Sequence, residues 1–152
     1  MDSIKIKGQI DFKITRANGL VEEWSVNNLI TSAGKAAIAG LVGNTGAVTA
    51  FTYLAVGTSN TAPAIGQTAL IGEISTNSLA RAAATVSRVT TTVTNDTLQL
   101  NYTWTASGSS SIEEVGIFNA SSSGTMLGRA LTSTKSVVSG DTLQITYKII
   151  FS

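Results

Sequence analysis

Two kinds of pattern in this chain bring together residue types that can do chemistry. Ser32-Ala33-Gly34-Lys35 has the Ser-x-x-Lys spacing, in which a lysine one helical turn away takes the proton from a serine nucleophile. Glu22-Glu23 and Glu113-Glu114 are adjacent carboxylates, the residue type from which an acid–base pair is built. Both patterns stop short of a site. The Ser-Asp-Asn and Lys-Thr-Gly elements that accompany a Ser-x-x-Lys nucleophile are missing, so Ser32 reads as a local helix cap and Lys35 as a solvated side chain. Neighbours on a strand point to opposite faces, so neither glutamate pair shares a proton or a metal directly. A fold that brought Glu22 or Glu23 toward Glu113 or Glu114 would change this, but nothing in the sequence requires it.

Composition removes further chemistry. The chain has no His and no Cys. The commonest general base, the commonest metal ligand and any disulfide framework are therefore absent. Zinc sites need Cys or His, and calcium loops need clustered Asp, which here occurs only at 2, 11, 96 and 141. Gly40-Leu-Val-Gly43-Asn-Thr-Gly46 lacks the Lys-Ser/Thr ending and the preceding strand of a phosphate cradle. The expectation is a non-enzymatic protein without metal or cofactor. With 10 basic and 9 acidic residues, it has no electrostatic footprint for nucleic acid. No apolar run reaches membrane-spanning length. The first residues already alternate and do not read as a signal peptide, so synthesis in the cytoplasm without export by a signal of its own is expected.

The elements that must hold these residues are strands. The 152 residues suggest one domain, 1–152. Ser and Thr make up roughly a quarter of the chain, a surface suited to exposed pleats. Ile4, Ile6, Ile10, Phe12 and Ile14 share one parity, while Lys5, Lys7, Gln9, Asp11 and Lys13 share the other. Residues 1–14 therefore form a half-buried strand or, in a sharper reading, a basic arm for a partner's sheet edge. Gly8 marks a bulge or a close backbone contact. Asn18-Gly19 is a hairpin turn leading to a return strand over Leu20–Val26. Asn28 or Thr31 caps a helix carrying Ala33, Ala36, Ala37 and Leu41, which Gly40, Gly43 and Gly46 end. Phe51–Val56 is a strand, Thr68–Ile74 a helical turn packed through Leu70 and Ile71, and Ala80–Thr94 a long β-prone run. Leu98, Leu100, Tyr102 and Trp104 share a parity, as do Leu143, Ile145, Tyr147, Ile149 and Phe151. Between these runs lies a hairpin, Ile112–Phe118 and Met126–Leu131, around a Ser-rich turn at Ala120–Gly124. The fold class is mainly β, an antiparallel sandwich or barrel-like domain of about eight strands with one short helix.

Three segments carry a resemblance. They are Phe51-Thr-Tyr-Leu-Ala-Val-Gly-Thr-Ser-Asn-Thr-Ala-Pro63 with Thr68–Ile74, Ile112-Glu-Glu-Val-Gly-Ile-Phe-Asn119 with Gly124-Thr-Met-Leu-Gly-Arg-Ala130, and the closing segment from Lys135 through Gly140-Asp-Thr-Leu-Gln-Ile-Thr-Tyr-Lys-Ile-Ile-Phe151. Together with Asn28-Leu-Ile-Thr-Ser-Ala-Gly34 they resemble virion structural proteins of tailed bacteriophages, both small capsid decoration proteins and β-rich tail-fibre modules. The resemblance implies no catalytic residue. It implies a homo-oligomer, often a trimer, held on the virion by the major capsid protein or other virion proteins. A short module without coiled-coil or collagen-like extension favours decoration of the head. The alternative is a tail-fibre or tail-tip module that binds a receptor or carbohydrate, which would want an exposed aromatic near Trp24 or Trp104. Candidate partner contacts are Ile4, Lys5, Ile6 and Lys7 of the first strand and the two indoles, Trp24 and Trp104, each weighed against a core role. Ser121, Ser122 and Ser123 of the turn complete the set.

Overall fold

The computed structural model describes residues 2–152. Ten strands form two antiparallel sheets of five that face each other as an open sandwich. The strands are β1 (Ile6–Thr15), β2 (Val21–Asn27), β3 (Leu29–Ile30), β4 (Tyr53–Gly57), β5 (Ala82–Ala83), β6 (Thr85–Val89), β7 (Thr97–Thr105), β8 (Ser110–Phe118), β9 (Met126–Val137) and β10 (Thr142–Phe151). The first sheet runs β2-β1-β10-β7-β6 and the second β3-β9-β8-β4-β5. The two-residue strands β3 and β5 account for the excess over eight.

Alternation builds the core as the sequence implies. Ile10, Phe12 and Ile14 of β1 and Leu143, Ile145, Tyr147 and Ile149 of β10 are all buried. They meet Leu54, Val56, Ile112, Val115 and Ile117 from the second sheet. Pairing of β1 with β10 runs from Ile6↔Phe151 to Thr15↔Thr142, so the two ends of the chain are sewn together. On its other side β1 pairs with β2 from Gln9↔Asn27 to Thr15↔Val21. The strand β1 is thus not a free arm, because each of its edges already has a partner; Met1 of the expected 1–14 segment lies outside the described residues. Gly8 makes the close contact, since a Cβ there would run into the Asn28 side chain.

The helix α1 spans Ser32–Gly43. Its N-cap is Thr31, whose hydroxyl accepts the Gly34 N–H at 2.8 Å, so Ser32 is the first helical residue and not the cap. Gly40 lies inside the helix, and Asn44 ends it in the left-handed region (φ 49°). Thr68–Ile74 forms bends without a helical turn: Leu70 is buried but Ile71 is exposed, because the segment is pulled flat across the second sheet. The run Ala80–Thr94 is split, with β5 in one sheet and β6 in the other.

Candidate functional site

The outer face of the second sheet carries the densest polar construction in the molecule. Ala55, Phe118 and Met126 form a small apolar patch there, and Leu70 from the long connection 58–81 covers it. Beside the patch Glu114 of β8 and Arg129 of β9 are both buried, with Arg129 Nε 2.7 Å from Glu114 Oε2. Glu114 Oε1 accepts the Gly72 N–H at 2.6 Å, and Oε2 accepts the Ile71 N–H at 3.2 Å. Arg129 Nη1 donates to the Thr61 carbonyl at 2.7 Å and to Gln67 Oε1 at 3.3 Å. Arg129 Nη2 is buried without a protein partner among the described residues. The ion pair therefore holds the connection onto the sheet at both of its ends. A carboxylate this occupied by donors is a fastening.

A second fastening lies at the end of the same connection. Arg81 holds Glu73 through Nε and Nη2, stacks 3.6 Å from the centroid of the Phe118 ring, and donates Nη1 to the carbonyls of Ala120 and Ser123. The hairpin turn is thus gripped from below. Ser123 (φ 51°) and Gly124 (φ 71°) adopt left-handed backbone, and Ser121, Ser122 and Ser123 stand exposed on a fixed tip.

The remaining predicted residues are not brought together. Ser32 and Lys35 are both exposed, and the Ser32 N–H is spent on the Ile65 carbonyl. Glu113 accepts from the Thr134 hydroxyl at 3.0 Å, apart from Glu114. Glu22 pairs with Arg16 at 3.0 Å. Among the described residues no three Asp or Glu side chains converge as a metal would need. Trp104 is only 2% exposed and donates its N–H to the Ala80 carbonyl, so it has no ring surface to present. Its place among the candidate contacts is corrected: its parity with Leu98 and Leu100 carries it into the core. Trp24 is half-buried, stacked on Phe12 at 4.9 Å, with its N–H on Thr132 Oγ1 and Lys135 Nζ 4.8 Å from its centroid. At the N-terminus Ile4 is 77% exposed, Lys5 and Lys7 are exposed, and Ile6 packs against the core.

The outer edges of β2 and β6 end the first sheet, with no further strand beside them among the described residues. Next to β6, between it and α1, lies an apolar groove of about 690 Å³ lined in part by Ile38, Leu41, Val42, Phe51, Val86 and Phe151, with Arg88 at its side. Sequence reasoning missed both fastenings. One signal was present: an arginine inside the apolar run Met126–Leu131 must find a buried partner or leave the sheet.

A family model described as podophage GP4 fiber I protein gp80 matches residues 28–150, which takes in every strand from β3 to β9, nearly all of β10, and both fastenings. No curated protein matches the sequence. With most of its length matched, the chain belongs to the podophage GP4 fiber I protein family, and so to the virion structural proteins of tailed phages.

Proposed function

We propose that the protein is a non-enzymatic building module of a podophage tail fibre, assembled with copies of itself and with other virion proteins. The family match over residues 28–150 carries this reading, and it favours a fibre over the decoration of the head that module length alone suggested. The geometry supports it. The polar residues that might have been reactive are used to tie a long connection and a hairpin turn to the sheet. A carbohydrate platform built on Trp24 or Trp104 is not part of the proposal, because one indole is buried and the other is covered by Phe12 and Lys135.

Immunogold labelling of intact virions with antibody against this chain tests the reading. Gold on the tail fibres is the expected result. Gold spread over the head would overturn it in favour of capsid decoration.

A further inference from the structure

We propose that copies of this chain join end to end, with the tip of the β1–β2 hairpin in one copy, Leu20 and Val21, seated in the apolar groove between β6 and α1 of the next. This deepens the fibre reading and rests on it for its setting.

Three observations carry the proposal. The first is where exposed apolar side chains gather, since such patches mark contact sites. Leu20 is 66% and Val21 51% exposed, beyond the Thr15↔Thr142 end of the first sheet and on its β2 side. The groove lies on the β6 side, near the opposite end, where Phe151 pairs with Ile6. Leu41, Val42 and Val86 line it and are themselves exposed, Val42 at 84%. Tip and groove thus occupy diagonally opposite corners of the sheet, so shifting a copy along that diagonal brings one onto the other. The contact is a side-chain insertion, with no strand paired to a neighbour's strand, and so makes no demand on strand direction.

The second is that the tip is held rigid. The Leu20 carbonyl accepts the Arg16 N–H at 2.7 Å, and the Leu20 N–H donates to Asn18 Oδ1 at 3.1 Å. The Arg16 guanidinium in turn ties the hairpin to Glu22, to buried Asp141 and to the Ser136 carbonyl. Apolar side chains offered on a fixed turn lose little freedom when they dock. The groove, at about 690 Å³, has room for both of them.

The third is charge, and it selects the occupant. Arg88 stands at the groove, and Lys5 and Lys7 are exposed at the same end of the sheet, all three without a carboxylate partner among the described residues. The tip runs straight into Glu22 and Glu23, both exposed. Seating Leu20 and Val21 therefore carries two carboxylates toward the groove's cations. Like-with-like contacts are poorer: tip on tip gathers four glutamates, and groove on groove gathers two Arg88. A contact between two different surfaces is heterologous, so it closes into a ring or propagates as a filament.

Light scattering on the purified full chain across a concentration series tests this, comparing wild type with Leu20→Lys at the tip, Val42→Lys at the groove and Arg88→Glu beside it. All three positions are exposed, and circular dichroism verifies that each variant is folded. Wild type is expected to assemble beyond a dimer, and each variant to need at least tenfold more protein to do so. An equimolar mixture of Leu20→Lys with Val42→Lys is the decisive arm. One sound tip and one sound groove remain in it, so it is expected to give dimers and nothing larger. A monomeric wild type, a variant that assembles normally, or a mixture that stays monomeric or grows past dimers would each overturn the proposal. Loss of assembly in the groove variants alone would give the groove to some other segment and overturn it too. Gold labelling reads position independently: monomeric protein whose label still falls on fibres would overturn the end-to-end contact and leave the fibre reading standing.

Discussion

Glu114 and Arg129 are the residues whose loss the fold should feel most. Removing one partner of a buried ion pair strands the other charge, which typically costs about 3–5 kcal/mol. Glu114→Gln keeps the shape but leaves the Arg129 guanidinium uncompensated, so its unfolding free energy, measured by urea titration, is expected to fall by an amount in that range. The variant should also release the connection 58–81, exposing Leu70 and Leu79 to thermolysin at protease levels that leave the wild type intact. Two aspartates set the acid limit of stability. Asp141 is held below the usual carboxylate range by the Val138 N–H, with Arg16 and the Ala17 N–H adding to it against the effect of burial. Asp96 is held well below that range by the N–H groups of Val93, Thr91 and Thr92 and the Thr97 hydroxyl. A depressed folded-state pKa gives stability that is complete above the unfolded value, near 3.8, and is lost as pH falls toward the folded value. Urea midpoints should therefore hold between pH 5 and 7, taken as roughly the plateau for such groups, and decline below about pH 4. Asp141→Asn should lower the plateau and flatten the decline; a decline of unchanged steepness would remove Asp141 from that role.

At the scale of elements, the helix gives a case where two local effects oppose each other. Gly34→Ala raises helix propensity by about 1 kcal/mol. Yet an added Cβ would sit 2.8 Å from the Leu127 Cα and nearer still to its carbonyl oxygen, where α1 packs on β9. Overpacking against backbone costs about 1–3 kcal/mol and cannot be relieved by a rotamer change. The net expectation is a lower melting temperature, measurable by calorimetry. Thr31 joins the same two elements: its hydroxyl accepts from Gly34 N and donates to the Met126 carbonyl at 2.6 Å. Thr31→Ala is expected to cost about 1–2 kcal/mol, the loss of a cap together with an orphaned carbonyl. The hairpin of β8 and β9 shows how much an element's wording reveals. Its strands and its turn were legible because β-branched residues and small polar ones act locally. The grip of Arg81 on that turn was not legible, since Arg81 is 39 residues from Ala120 and 42 from Ser123.

At the scale of the molecule, the order of strands decides which of them are enclosed and which lie at an edge. Besides its reading as a half-buried strand, the N-terminal segment has a sharper reading as an arm for a partner, because its alternation is clean and its polar face basic. It is instead locked between β2 and β10, and the ends of the sheet are β2 and β6. The mainly β class, the half-buried strands and the one helix follow from the sequence, because side-chain period and capping chemistry are local properties; the choice of an open sandwich over a barrel does not. Nor does the fate of the paired glutamates. Simple alternation from buried Ile112 would send Glu114 into the core between the sheets; the register shift between Ile112 and Glu114 turns it outward, beneath the connection 58–81 and beside Arg129. Only the tertiary structure decides this. A bulge, a covering segment and an exposed edge are each defined by residues distant in sequence, and no period along the chain encodes which of them will meet.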